Sequence, residues 1–148
     1  GMGLKLSASV RNSRGEHLAT VATNDSARAV AIPPRESCRG SSANGGELLF
    51  LALATCYCND IYREAAKRGF EVERVEVEVE GESGGPGDPA ANVTYRARVV
   101  AAAPEPDILD LMRHTDTVAE IQNTLRLGMP VTLADVEAVS SQHAAPRR

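Results

Sequence analysis

The residues with the clearest chemical potential are the three cysteines, Cys38, Cys56 and Cys58, two of them in the run Thr55-Cys56-Tyr57-Cys58-Asn59-Asp60. This run reads as helix. At about 100° per residue, Cys56 shares a face with Leu49, Ala52, Leu53, Asn59, Asp60 and Arg63, so the thiol stands where an apolar surface turns polar. Such a boundary suits a reactive thiol, although on composition alone a small inert hydrophobe is the first reading. Cys58 shares its face with Leu51, Ala54, Thr55, Ile61, Tyr62 and Ala65, and reads as structural. Residues two apart on a helix point about 200° apart, so a Cys56–Cys58 disulfide requires local unwinding. Cys38 lies in a Pro-, Ser- and Gly-rich loop and could reach a thiol more easily. No metal site and no cofactor are expected: there is no C-x₂-C pair, and the divergent thiols make Cys56, Cys58 and His114 a poor ligand set.

Glu47 precedes Cys56 by nine residues, about 900° of rotation and ~13.5 Å of rise, so the two face opposite ways. A glutamate serving the same site would have to come from a second copy of the chain. Otherwise Glu47 is a favourable charge in a first helical turn.

The elements that must hold these residues follow from periodicity. Leu4, Leu6, Ala8 and Val10 alternate with polar residues, Asn12-Ser13-Arg14-Gly15 supplies a turn, and further strands are expected over His17–Thr23 and Ala27–Ile32. A long helix is expected from about Gly45 to Arg68, capped by Asn44 or Ser42 and stopped by Gly69. Its first half, Leu48 to Ala54, is apolar on every face and should be enclosed all round. Val75, Val77 and Val79 alternate with glutamates, and Val93, Tyr95, Ala97 and Val99 alternate with Thr94, Arg96 and Arg98. Together they predict a long hairpin around a turn at Gly81–Pro89. Two short helices are expected, one from Pro104 to His114 and one starting near a capping box at Thr117-x-x-Glu120. A last strand is expected over Pro130–Val139 and a disordered tail over about 140–148. The result is one α+β domain over 1–148, in the order βββ-α-ββ-αα-β.

Composition narrows the function. The chain has 148 residues, 43% hydrophobic, with no Trp, 3% aromatics and a net charge of -4. A base-stacking platform and non-specific nucleic-acid binding are both disfavoured. The longest uncharged apolar run, Leu48 to Tyr57, is far shorter than a membrane-spanning helix needs. Three cysteines are too few and too odd a number for a disulfide scaffold, and no secretory leader opens the chain, which points to the cytoplasm. Gly1 before Met2 reads as a tag remnant.

The stretch from Ser42-Ala43-Asn44-Gly45-Gly46-Glu47 through Thr55-Cys56, followed by Ala65-Ala66-Lys67-Arg68-Gly69 and Val75-Glu76-Val77-Glu78-Val79, resembles the osmotically inducible protein C and organic hydroperoxide resistance (OsmC/Ohr) family. The order of elements, with a late Asn123-Thr124-Leu125, extends the likeness over nearly the whole chain. The resemblance implies an α+β fold with a long central helix, in which two chains interlock and the active sites lie at their interface. It also implies a thiol peroxidase. Cys56 matches the attacking cysteine, which becomes a sulfenic acid and is then captured by a second cysteine. A nearby arginine and glutamate stabilise the thiolate. The hydroperoxide-resistance branch has its glutamate where this chain has Gly46; other branches have it where Glu47 stands. Arg14 or Arg11 matches the hairpin arginine, with Arg39 a substitute. The family's second cysteine falls on Ala119. Asp60, one turn after Cys56, would raise the thiol pKa if close.

Two readings follow. In one, the chain is a homodimeric, thiol-dependent peroxidase of oxidative-stress defence that reduces organic or hydrogen peroxides. Its cycle is resolved by an external thiol reductant or by Cys58 or Cys38. In the other, it is an inactive OsmC-like dimer that binds a small hydrophobic ligand or a protein partner.

Overall fold

The computed structural model describes residues 3–142. β1 (Leu6–Ser13), β2 (Glu16–Thr23) and β3 (Ser26–Val30) form an antiparallel meander in sequence order. Leu6 pairs with Thr23, Ser13 with Glu16 and Ala19 with Val30. Every residue of β1 and β3 is exposed, and this sheet packs on no helix of its own chain to any appreciable extent. Leu4, Leu6, Val10 and Leu18 are all more than half exposed as a result.

Helix α1 (Gly45–Lys67) begins at a full capping box. Asn44 Oδ1 accepts from Glu47 N at 2.8 Å, and Glu47 Oε1 accepts from Asn44 N at 2.9 Å. Asn44 is therefore the cap, and Gly69 takes the left-handed conformation just past the end, with φ 74°. The buried face of α1 runs through Leu53, Tyr57, Ile61 and Ala65, four residues apart throughout. The expected enclosure of the apolar first half is not met within one chain: Leu48 and Leu49 are each 37% exposed and Leu51 60%. One layer covers one side of the helix, and the three-stranded sheet that could cover the other does not return to it.

β4 (Val72–Ser83) and β5 (Ala90–Ala101) form a separate antiparallel hairpin. The predicted charge matching appears in the register, where Glu76 opposes Arg98 and Glu78 opposes Arg96. The turn is shorter than expected because β4 continues through Gly81 to Ser83. Gly81 sits at an irregularity in the ladder against Phe50, where an added Cβ would come within 2.8 Å of the ring. Glycine is required there by close approach. The other faces of Val75, Val77, Tyr95, Ala97 and Val99 pack on Tyr57, Ile61, Ala65 and Leu111, which form the core.

α2 (Glu105–Val118) and α3 (Glu120–Leu127) complete the fold. The break falls at Ala119, two residues later than the capping-box reading placed it. Thr117 lies inside α2, with its hydroxyl donating to the His114 carbonyl, and α3 has no side-chain cap. The expected strand over Pro130–Val139 does not form: residues 128–141 have no regular structure, and Val131, Leu133, Val136 and Val139 are 75–89% exposed. A strand exists only when its backbone groups find a ladder, and among the described residues no strand pairs with that segment. Of the expected tail, residues 143–148 lie outside the described residues, as does Gly1.

Candidate functional site

Cys56 sits near the middle of α1 where the start of α3 crosses it. Its Sγ lies 3.6 Å from Asp60 Oδ2, one turn on in the same helix, and 3.6 Å from Glu120 Oε2 at the first residue of α3. Arg63 reaches the outer oxygens of the same two carboxylates: Nη1 is 3.1 Å from Asp60 Oδ1 and 2.8 Å from Glu120 Oε1. The inner oxygens are thereby left facing the sulfur. Arg63 Nε also donates to Glu64 Oε2 at 2.9 Å, and Glu64 in turn accepts from Lys67 and bonds to His114 Nε2. α3 is fixed on α1 by Gln122, buried, whose Nε2 donates to the Leu53 carbonyl at 3.0 Å.

These neighbours set the proton affinities. Burial pushes the Cys56 thiol up; the Ile121 backbone N–H works against this, and the negative charges of Asp60 and Glu120 add to the rise. Asp60 is pushed up to about 6, by burial first and then by its hydrogen bond and charge interaction with Glu120, with Arg63 opposing. For Glu120, burial opposes ionisation, but bonds from Asp60 and Arg63 hold it below the usual carboxylate range. Of the two, Asp60 is therefore the carboxyl that takes up a proton first as pH falls.

Glu64 is lowered to about 2 by its bonds to Lys67, Arg63 and His114. Its contribution to stability is fully present above about pH 4.5 and is lost as pH falls towards 2. Asp60 has the opposite sign: its contribution is present below about 3.8 and is lost as pH rises through 6. Together they favour a stability maximum near pH 4–5 from this helix face. In thermal melts from pH 2 to 8, Glu64→Gln should flatten the acid side alone; an unchanged acid limb would contradict the pairing.

The sequence-derived candidates are distributed unevenly. Cys58 faces away from Cys56, into a shallow recess with Ala54, Asn59, Val75 and Val77. Glu47 is engaged in the capping box. Arg14 lies in the β1–β2 turn, whose Gly15 N donates to the Cys38 carbonyl, so that the loop holding Cys38 is docked on that turn. Among the described residues, no hydrogen bond or ion pair joins Arg11, Arg14, Arg39, Glu47 or Cys58 to Cys56. Ala119 is fully buried beside the site, immediately before Glu120. Sequence reasoning missed Glu120, and its adjacency to Ala119 was the available signal. The metal trio Cys56, Cys58 and His114 is not brought together. Cys56, Asp60 and Glu120 do offer three ligand atoms within 4.8 Å of one another, but Arg63 already supplies a positive charge there.

One turn before Cys56, a cavity of about 470 Å³ opens between α1, β5 and α3, lined by Leu49, Leu53, Val93, Tyr95, Gln122 and Arg126 among others. Gln122 Oε1 is buried without a partner.

A thiol on a long helix, backed by a hairpin and crossed by a short helix, with an N-terminal meander standing apart, defines an α+β protein of the OsmC type. The chain belongs to the OsmC-like protein family, whose model matches residues 39–134. Among solved structures it is similar to an OsmC-like protein from Mycoplasma pneumoniae, with a TM-score of 0.60 and 12% identity over 84% of this chain and 87% of that one. An OsmC-like protein of unknown function from Vibrio cholerae gives 0.58 and 17% over 81% and 92%. An organic hydroperoxide resistance protein OsmC from Legionella pneumophila gives 0.53 and 20% over 82% and 89%. These likenesses establish the shared fold. No curated protein sequence matches the chain. No helix among the described residues is long and apolar enough to cross a membrane.

Proposed function

We propose that this chain is a thiol-dependent peroxidase with Cys56 as its nucleophile, acting as a homodimer in the reducing cytoplasm. The observation that carries the reading is the placement of Cys56 at a polar junction of α1 and α3, one helical turn from an apolar cavity. Sγ attacks the distal oxygen of a hydroperoxide, giving a Cys56 sulfenic acid and an alcohol. Two external thiols then return the cysteine to its reduced form, yielding their disulfide and water. Resolution by Cys58 would need α1 to unwind, and Ala119 offers no thiol, so an external reductant is assigned the step. The name of the Legionella protein and membership of the family support a peroxide-related role.

The dimer reading is supported by the uncovered apolar half of α1 and the uncovered face of β1–β3. Within it the chain forms one OsmC-like domain, and Glu47 and Arg14 serve the Cys56 site of a second copy, the glutamate orienting the arginine. Glu47→Gln tests this cleanly, because glutamine at the same position keeps the capping box while removing the charge. Peroxide turnover should drop at least ~10-fold with thermal stability nearly unchanged, a modest loss beside the 10²–10⁴-fold typical of a direct proton-transfer group. Asn44→Ala should instead cost about 1 kcal/mol of stability. Equal turnover in Glu47→Gln and wild type would confine Glu47 to the cap.

The apolar cavity one turn before Cys56 favours a second reading, an inactive dimer that binds a small hydrophobic ligand. Alkylation of Cys56 against pH separates the two. Ready alkylation at neutral pH favours the enzyme and an inert thiol favours the binder. The decisive test is consumption of tert-butyl hydroperoxide or hydrogen peroxide with dihydrolipoamide or another dithiol. Absence of turnover with both oxidants would reject the peroxidase.

A further inference from the structure

The two carboxylates beside Cys56 pose a problem for a thiol nucleophile, since negative charge opposes the thiolate. The geometry resolves it. We propose that Asp60 and Glu120 form a proton relay for Cys56, with Asp60 taking the thiol proton and Glu120 delivering a proton to the leaving oxygen. The proposal rests on the peroxidase reading above and adds catalytic residues to it.

Three observations carry it. Asp60 Oδ2 and Glu120 Oε2 are each 3.6 Å from Sγ, within reach of the single thiol proton. Arg63 bonds to both outer oxygens, which fixes the inner oxygens on the sulfur and leaves room for one proton on the pair. The two carboxylates also differ in exposure. The Asp60 side chain is 8% exposed and that of Glu120 60%, so a proton taken up at the buried member can leave from the member that faces solvent.

The reaction balances without a further reactant. As Sγ attacks the distal peroxide oxygen, the S–H proton passes to Asp60, the S–O bond forms and the O–O bond breaks. The Asp60 proton then crosses to Glu120, which hands it to the departing alkoxide, so both carboxylates end ionised as they began. Sulfur is oxidised by two electrons to the sulfenic acid, and the hydroperoxide is reduced to the alcohol. Proton transfers of this kind contribute about 10²–10⁴-fold.

The charged groups around the relay are few. On α1 these are Arg63 and, through it, Glu64 and Lys67; on α2, His114 reaches only Glu64; on α3, besides Glu120 itself, Arg126 pairs with Asp116 of α2. No ion pair joins a charged group of β4 or β5 to Asp60 or Glu120 among the described residues. The ionisation of Asp60 near pH 6 should therefore appear as one distinct limb in the reaction.

The test is single-turnover formation of Cys56 sulfenic acid with tert-butyl hydroperoxide, trapped with dimedone and followed by mass spectrometry from pH 5 to 10. In the wild type the rate should rise through a limb near pH 6 and level off well before the thiol range. Asp60→Asn should lose that limb and fall about 10²–10⁴-fold at pH 7, rising only where the thiol itself ionises. Glu120→Gln changes a mostly exposed side chain and should keep the limb but move it down towards the ordinary carboxylate range. That variant provides a reading if Asp60→Asn fails to fold. A wild-type rate without a limb near pH 6, or an Asp60→Asn rate at pH 7 equal to or above wild type, overturns the relay and leaves the peroxidase standing. A wild type that forms no sulfenic acid at any pH overturns both.

Discussion

Replacing Cys56 with serine should bring hydroperoxide consumption down to the rate of the dithiol alone. The expected loss is therefore the whole enzymic rate. The hydroxyl that replaces the thiol is isosteric enough to keep the junction of α1 and α3, but it is not oxidised to a sulfenic acid and is a far weaker nucleophile at neutral pH. Cys58→Ser and Cys38→Ser should retain turnover, because in the proposed cycle an external thiol is the resolving agent and neither side chain bonds to Cys56. The measurement is peroxide consumption with dihydrolipoamide, paired with thermal melts to show that each variant is folded. Undiminished turnover in Cys56→Ser would remove the nucleophile assignment. Loss of turnover in Cys38→Ser, with a peroxide-induced disulfide in the wild type, would replace the external thiol with that cysteine.

The largest expected effect on stability comes from the centre of the core. Ile61 and Leu111 are both fully buried, and they lie where α1, α2 and the β4–β5 hairpin meet. Truncating either to alanine leaves a cavity that rigid neighbours on three sides cannot fill, at a cost of about 2–5 kcal/mol. For a chain of this size, about 3 kcal/mol lowers Tm by about 10 °C. Leu51→Ala should behave differently in the isolated chain, where Leu51 is 60% exposed. Chemical denaturation with an unchanged m-value would identify the loss as one of native stability. A cost below about 1 kcal/mol at both Ile61 and Leu111 would mean that the core lies elsewhere.

What was legible in the sequence was what depends on neighbours in sequence. α1 was readable because Asn44 and Glu47 form a capping box and Gly69 supplies the left-handed stop. The β4–β5 hairpin was readable because alternating valines and opposed charges specify both faces and register. The Cys56 surroundings were only half readable. Asp60 and Arg63 follow from helical spacing, whereas Glu120 arrives from 64 residues away in sequence. Its position depends on the break at Ala119, which the Thr117 pattern misplaced. The strand expected over Pro130–Val139 failed for a related reason, since alternation shows which face would be buried but does not provide a ladder.

The meander β1–β3 has a consequence for how this molecule becomes finished. Every side chain of β1 and β3 is exposed and both edges of the sheet are open, so among the described residues its backbone amides have little beyond their own ladder and the Cys38 loop docked at the β1–β2 turn to shield them from water. The amides of the buried half of α1 are guarded by the chain's own core. In the dimer proposed above those of the meander would gain their cover from the partner, so hydrogen exchange over residues 6–30 should slow as protein concentration rises.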